Sequence, residues 1–474
     1  MRFKGLGNIK EVNLEFENLL VFTGKNNTGK TYTSYILYGL LSVLSRDRIS
    51  NSQKIFSFFD KQLLKSIVLK ITENKGKTTI ELDKNEIRNK TIQSIKDYLE
   101  KNIKNIAIDN FRANEKMFKD LEFEITNSDI ESIVGDMFAY HQKNLNIQDI
   151  DIVINNIKED ENLKITFDAS MMNELEDAEI FRQDFFFEFM DTSLSRDLIV
   201  IPEVTYFPAE RNGINVFKNE LNESRLKTYD TLMNTLQFTS LTNEKEKRKK
   251  RNEVFSANLD LLMDGNKSYY PKPISDYIKF LNNMKNISTH SNNETSEYVR
   301  SQILEGKYEI DDDDKSVYFR QKNGKNGYKK VKIPFHIVSS SIKSLFGLDY
   351  YLDFIAKPNS FLIIDEPELN LHPENQVKFS KVLELLVKSG VRVIISTHSD
   401  LLIRSLTNLA LEEKLKGEDL LNSRTKLYNF EAKKGVKNLG SLIDIYDFPN
   451  FDNINWEVQD KYNSLLEQIE ASEK

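Results

Sequence analysis

One stretch near the start of the chain has the residue types and spacing that bind phosphate. It comprises Gly24, Lys25, Asn26, Asn27, Thr28, Gly29, Lys30 and Thr31, a full match to G-x-x-x-x-G-K-[ST]. Its glycines allow the backbone to curl so that successive N–H groups face a β-phosphate. Lys30 would place its charge on the β- and γ-phosphates, and the Thr31 hydroxyl would ligate Mg²⁺. The stretch therefore predicts a site for ATP and Mg²⁺.

Two adjacent carboxylates follow an apolar stretch much later in the chain. Residues 361–364 are Phe-Leu-Ile-Ile, and Asp365 and Glu366 come next. A strand that ends in Asp delivers a carboxylate to the C-terminal edge of a parallel sheet, where Mg²⁺ would be held. The neighbouring Glu366 could orient or deprotonate an attacking water. We expect Asp365 to be a metal ligand and Glu366 a catalytic residue.

A histidine stands just past the next apolar stretch. Residues 391–396 predict a buried strand, and His398 follows two residues later. A histidine at that point can reach a γ-phosphate bound at the same sheet edge. A lone histidine is more often structural, but the chain has only 5 histidines, and this spacing favours a catalytic role for His398.

The hydrophobic pattern predicts the strands and helices that would position these residues. Residues 1–23 predict a hairpin that turns at 17–18, and a helix from about 30 to 44 follows the glycine-rich turn. Later in the chain the pattern predicts a strand, an amphipathic helix and a strand, over residues 361–364, 375–389 and 391–396. A strand–helix–strand order indicates a parallel α/β sheet.

The middle of the chain is less regular. Short strands are predicted at residues 67–71, 78–82 and 198–207, helices at 92–106 and within 215–305, and a three-strand meander at 308–310, 317–321 and 329–333. The aromatic run 185–189 is typical of a core or lobe interface. The basic run 244–251 suits a solvated face, with a nucleic-acid contact as the alternative. The acidic run 311–314 predicts an exposed turn, with a metal site as the alternative.

Composition bounds the class of protein. A chain of 474 residues exceeds what one core usually serves, so two or more lobes are expected. No stretch approaches the roughly 18–20 apolar residues of a membrane span, and no signal peptide is evident, so no membrane association is expected. The absence of cysteine excludes disulfides and fits the cytoplasm. The net charge of −7 leaves DNA binding open.

The order of these motifs resembles the ABC-type ATPases. Within them it is most similar to the bacterial AAA ATPases that include the OLD (overcoming lysogenisation defect) ATPases and relatives of the SMC and RecF recombination proteins. The string Ile-Ile-Asp-Glu-Pro-Glu-Leu-Asn-Leu-His-Pro at residues 363–373 carries most of the resemblance. The resemblance covers residues 1–45, 200–213 and 335–402.

The resemblance implies roles for several residues. Asp365 would hold Mg²⁺, Glu366 would be the catalytic base, and His398 would contact the γ-phosphate. In the family a Ser-Gly-Gly turn binds the partner subunit's γ-phosphate, and the corresponding positions here are Ser339, Ser340 and Ser341, without the glycines. The alternative for Ser339 is a simple helix cap. Arg211, after Pro208, is the candidate for a further phosphate contact, and residues 370–372 would cross a dimer interface.

The resemblance also implies an architecture. A P-loop ABC-type ATPase head of α/β class, with a mixed or parallel sheet, would be split over residues 1–45, 200–213 and 335–402. Residues 46–199 would form a β-subdomain of mixed structure. Residues 214–334 would form a mainly helical lobe with a β meander, and residues 403–474 an α/β segment that completes the core.

The function implied is that of an ATP-gated switch that hydrolyses ATP as a head-to-tail homodimer or a higher oligomer. The first interpretation is an OLD-like sensor in nucleic-acid surveillance or phage defence, with a separately encoded effector and DNA as candidate partners. The second is a DNA repair or recombination ATPase of the SMC–RecF kind. A transporter nucleotide-binding subunit is the third, and the split core counts against it. A nuclease activity is not expected, because only about 70 residues follow His398.

Overall fold

A computed structural model of the protein describes residues 1–45, 77–136, 138, 142–147, 150–155, 157–158, 160–168, 202–217, 270–284, 293–311, 316–324, 327–431, 435–444 and 459–465. The motif-bearing segments converge on one six-stranded sheet. With strands numbered along the chain, its spatial order is β16 (Gly435–Gly440), β15 (Thr425–Glu431), β3 (Leu19–Gly24), β14 (Arg392–Ser396), β13 (Phe361–Asp365) and β9 (Val204–Phe207).

Five neighbouring strands of this sheet run in the same direction. β15, β3, β14, β13 and β9 are parallel, and β16 adds an antiparallel edge. Every residue of β3, β13 and β14 is buried, as expected of apolar strands covered on both faces. The strands predicted at 361–364 and 391–396 and the α/β class with a mixed sheet are confirmed.

Helices cover both faces of the sheet. Alternate residues of the central strands, such as Phe22 and Ile363, pack in one core with α1 (Lys30–Leu44). The intervening residues, such as Val21 and Ile364, pack in a second core with α6 (Ser340–Phe354), α7 (Pro373–Lys388) and α8 (Asp400–Leu415). The short α9 (Leu420–Ser423) leads into β15. The helices predicted at 30–44 and 375–389 are confirmed.

The prediction of one hairpin over residues 1–23 is wrong in its pairing. The hairpin consists of β1 (Arg2–Leu6) and β2 (Ile9–Asn13), and β5 (Glu122–Glu124) extends it on the other side of β1. Residues 17–18 are not its turn, because β3 leaves for the six-stranded sheet. There the apolar run of β3 is buried between β14 and β15, an environment that one hairpin partner could not supply.

A second β-sheet lies within the segment expected to form a β-subdomain. Its antiparallel order is β4 (Lys77–Asp83), β8 (Asn162–Asp168), β7 (Ile150–Asn155) and β6 (Gln142–Ile147). The helix α2 (Lys84–Phe111), which packs on α1, confirms the helix predicted at 92–106, and α3 (Asn127–Val134) follows it. Residues 67–71 and 185–189 lie outside the described residues.

The segment before α6 contains helices and the predicted meander. It comprises α4 (Lys272–Asn282), α5 (Glu294–Tyr298), a π turn (Val299–Ile303) and the strands β10 (Gly306–Ile310), β11 (Val317–Gln321) and β12 (Ile333–Pro334). The three strands pair in chain order, as predicted, but the third strand comprises only Ile333–Pro334, so its predicted range of 329–333 is wrong. The basic run 244–251 and residues 312–314 lie outside the described residues. Among the helices that are described, none is long and apolar enough to span a membrane.

Candidate nucleotide site

The glycine-rich stretch forms a tight loop between β3 and α1. Gly24 (φ 137°) and Gly29 (φ 103°) have backbone angles that favour glycine. Neither has room for a side chain: a Cβ on Gly24 would lie 2.3 Å from the carbonyl oxygen of Phe430, and one on Gly29 would lie 2.4 Å from Cγ1 of Ile9. The loop therefore needs glycine at both positions, and α1 begins directly after it with its free N–H groups toward the loop.

The ammonium group of Lys30 folds back over this loop. Its Nζ donates to two loop carbonyl oxygens, both at 2.9 Å, and the residue is only 6% exposed. Burial lowers the pKa of Lys30 to about 8, and the negative charges of Glu366, Asp365 and Glu368 oppose that shift. The lysine of the loop and the carboxylates after β13 thus act on one another, although they are far apart in the sequence.

The carboxylate of Asp365 lies at the carboxyl end of β13 between two hydroxyl donors. Oδ1 accepts from Oγ of Ser396 at 2.6 Å, and Oδ2 accepts from the phenol of Tyr206. Burial raises the pKa of Asp365 to about 6, the two hydroxyl donors lower it, and the charges of Glu210 and Glu366 raise it again. A buried carboxylate of this kind is stabilised in its ionised form by a nearby cation.

Glu366 and His398 face each other at the same edge. Oε1 of Glu366 lies 3.8 Å from Nε2 of His398, and each side chain is 31% exposed. Burial lowers the pKa of His398, the charge of Lys30 lowers it further, and Glu366 opposes both. The lowered pKa favours the neutral imidazole, in which one ring nitrogen donates a hydrogen bond and the other accepts one. The structure brings together Lys30, Asp365, Glu366 and His398, as the sequence predicted.

The AAA ATPase domain family matches residues 2–403, a span that includes the phosphate loop, the Asp365–Glu366 pair and His398. The chain belongs to this family. The curated proteins give no match.

Two solved structures are similar to the chain at low identity. One is the Smc head domain with an extended coiled coil bound to the C-terminal domain of ScpA, derived from Pyrococcus furiosus, at 12% identity over 99% of this chain and 98% of that chain, with a TM-score of 0.32. The other is the SmcHead bound to the C-winged helix domain of ScpA, at 12% identity over 92% of this chain and 95% of that chain, with a TM-score of 0.33. At these TM-scores the similarity carries no further conclusion.

Arg211, the residue expected to make a further phosphate contact, lies beneath the loop that follows β13, and that contact stays a prediction. The residue is 4% exposed, and its guanidinium donates to the backbone carbonyl oxygens of Pro208, Asp365 and Glu366. Its donors are thus engaged by the loop that follows β13, because the turn after β9 points the side chain under that loop. Arg211 supports the backbone of the site in this structure.

The serine-rich turn lies at the start of α6. Oγ of Ser339 caps the helix by accepting from the N–H of Ile342 at 3.4 Å, which confirms the cap interpretation. Ser339 and Ser340 are exposed, and Ser341 is partly exposed. A cap and an exposed helix start leave room for an anion, so the contact with a partner subunit's phosphate stays a prediction.

Three side chains at the site were not predicted from the sequence. Ser396 and Tyr206 hold Asp365, and Oε1 of Glu368 accepts from the backbone N–H of His398 at 2.7 Å. Burial raises the pKa of Glu368 above its ordinary value, and this hydrogen bond only partly opposes that shift. The sequence did contain a signal for Ser396 and Tyr206, because each lies near the end of a predicted buried strand and the carboxyl ends of parallel strands meet at one sheet edge.

Proposed function

We propose that the protein binds ATP with Mg²⁺ and hydrolyses the γ-phosphate. Membership of the AAA ATPase domain family supports this at the level of the fold. Lys30 would bind the β- and γ-phosphates together with the N–H groups of residues 24–31, and His398 would contact the γ-phosphate. Glu366 would orient and deprotonate the attacking water.

The observation that carries the proposal is the alignment of the strand ends. Phe22 pairs with Ser396, and Ser396 pairs with Asp365, so the phosphate loop and the Asp365 carboxylate leave the sheet at the same edge. Two interstrand spacings amount to about 10 Å. A triphosphate with its metal spans that distance.

The donor set suits Mg²⁺. Among the described residues no group of three or more His, Asp or Glu side chains forms a metal cage. Mg²⁺ is usually held by one or two protein oxygens together with phosphates and water, and the Thr31 hydroxyl and Asp365 carboxylate are oxygen donors of that kind. When bound, the ion would neutralise charge on the phosphates. Tyr206 and Ser396 would keep Asp365 oriented toward it.

We further propose that two copies act head to tail, with Ser339, Ser340 and Ser341 of each contacting the nucleotide of the other. The exposed start of α6 supports this. For the biological role we favour an OLD-like sensor with a separate effector in nucleic-acid surveillance, on the resemblance of residues 363–373. A repair ATPase is the alternative, and stimulation of hydrolysis by added DNA would favour it.

The assignment of the base is tested with Glu366→Gln. This variant should bind ATP normally, hydrolyse it at least about 100-fold more slowly, and accumulate as an ATP-bound dimer, because only the proton acceptor is lost. Phosphate release, nucleotide binding and light scattering would be measured. Glu412→Gln, an exposed glutamate on α8, is the matched control and should behave as the unaltered protein. Unchanged hydrolysis in Glu366→Gln would refute the base assignment.

A further inference from the structure

The guanidinium of Arg211 is turned onto the backbone of the loop that carries the carboxylates. Nη1 donates to the carbonyl oxygen of Asp365 at 2.7 Å and to that of Pro208 at 3.1 Å, and Nη2 donates to the carbonyl oxygen of Glu366 at 2.8 Å. A planar guanidinium holds two neighbouring carbonyl groups in a fixed relative orientation, which a flexible ammonium does less well. The contact therefore constrains two successive peptide groups.

Those peptide groups set the direction of the Glu366 side chain. Glu366 has φ of 48°, a left-handed conformation that a residue other than glycine keeps only where its surroundings hold it. Its N–H donates to the carbonyl oxygen of Ser396 at 2.8 Å, so β14 fixes one side of the residue and Arg211 fixes the other.

We propose that Arg211 is a positioning residue that holds Glu366 in this backbone conformation and so directs its carboxylate toward His398 and the phosphate loop. The inference rests on the proposed role of Glu366 as the base. It also gives the buried guanidinium a task other than binding phosphate. A displacement of the base by about 1 Å is enough to slow a reaction about 100-fold.

The position of Arg211 is itself fixed. Residues 211–217 are helical, and Asn215 on the next turn is 1% exposed. Nδ2 of Asn215 donates to the carbonyl oxygen of Lys343 at 2.7 Å, and its Oδ1 accepts from the hydroxyl of Tyr277 at 2.9 Å. Lys343 lies in the first turn of α6, the helix that Ser339 caps. The orientation of Glu366 is thereby tied to the serine-rich turn.

The test separates positioning from phosphate binding. Arg211→Met should lower kcat about 10- to 100-fold and leave the Kd for ATP within about 2-fold, because the nucleotide contacts remain and only the base is displaced. Arg211→Lys should restore part of kcat. Arg404→Met, which removes an arginine that is paired with Asp400 on the exposed face of α8, is the control and should change neither constant. A weaker Kd with unchanged kcat at saturating ATP would overturn the proposal.

A double variant supplies the readout that a purely structural role would not give. In the Glu366→Gln background Arg211→Met should cause no further loss of kcat, since the positioned group is already absent. If the double variant instead loses kcat by the product of the two single-variant factors, the proposal is contradicted. If Glu366→Gln alone leaves kcat unchanged, both the base assignment and this inference fail. If Arg211→Met does not fold, Arg211→Lys carries the test, with reduced kcat and unchanged Kd as the expected result.

Discussion

At the scale of single residues, the site is a set of charged groups whose protonation depends on one another. Burial lowers the pKa of Lys30 and raises that of Asp365, so it favours the neutral form of each, and nearby groups partly oppose both shifts. The hydroxyls of Tyr206 and Ser396 stabilise the ionised form of Asp365, and the carboxylates stabilise the ammonium of Lys30. A polyphosphate would add negative charge next to Lys30, so its binding should change the protonation of that lysine.

Binding of ATP should therefore take up protons in a pH-dependent way. With a pKa of about 8, Lys30 is half protonated at pH 8, and the phosphates should raise that pKa. Lys30 should take up about half a proton per ATP bound at pH 8. At pH 6.5 it should take up almost none, because it is already charged. Calorimetry in two buffers with different ionisation enthalpies measures this uptake. It should vanish in Lys30→Arg, and proton release at pH 8 would contradict the account.

At the scale of elements, local sequence patterns predicted the parts that hold the site. The helix α1 and the strands β13 and β14 lie where the apolar periodicity placed them, because each is defined by a local run of residues. Pairing was harder to predict. The strand β3 was assigned to a hairpin, since nothing within residues 1–23 shows that its partners are β14 and β15.

The contacts of Arg211 could not be predicted for the same reason. A sequence pattern can place an arginine after a strand, but it does not show whether the guanidinium faces a ligand or a carbonyl group. That choice depends on the loop after β13, whose Glu366 adopts a left-handed backbone conformation. Ser396 and Tyr206 were within reach of prediction once β13, β14 and β9 were taken as neighbours, because their register follows from the shared edge.

The packing of α7 against α8 provides a test at this scale. Nζ of Lys388 bonds to Glu384 and to Glu413, both at 2.7 Å, and these carboxylates are only 3% and 5% exposed. Lys388→Met removes the cation that the two buried carboxylates share. It should cost about 1–3 kcal/mol of unfolding free energy at pH 7, measured by urea denaturation. Lys378→Met, which breaks a pair with the 69% exposed Glu374, is the control and should cost less than about 0.5 kcal/mol.

The cost of Lys388→Met should depend on pH. Burial raises the pKa of Glu413, but the hydrogen bonds from Lys388 and from the N–H of Leu421 outweigh it, so the pKa lies below its ordinary value of 4.5. A lowered pKa contributes stability that is present above that ordinary value and is lost as the pH falls through the folded-state pKa. The difference in unfolding free energy between the two proteins should be full above the ordinary pKa of 4.5 and shrink as the pH falls through the lowered folded-state pKa. A difference in unfolding free energy that increases as the pH falls would contradict the proposed pairing of Lys388 with Glu413.

At the scale of the whole molecule, the site exists only because distant parts of the chain share one sheet. The strand β14 lies between β3 and β13, and it brings the phosphate loop of residues 24–31 beside Asp365 and Glu366. The described residues between them include the second sheet and the meander. We propose that Lys30 and Asp365 bind one triphosphate and its metal together.

The most direct measurement is a crystal structure of Glu366→Gln grown with ATP and Mn²⁺, with anomalous scattering used to locate the metal. We expect one nucleotide per chain, with its β- and γ-phosphates at Lys30 and the anomalous peak between Thr31 and Asp365. A nucleotide bound away from Lys30, or a metal remote from Asp365, would contradict it.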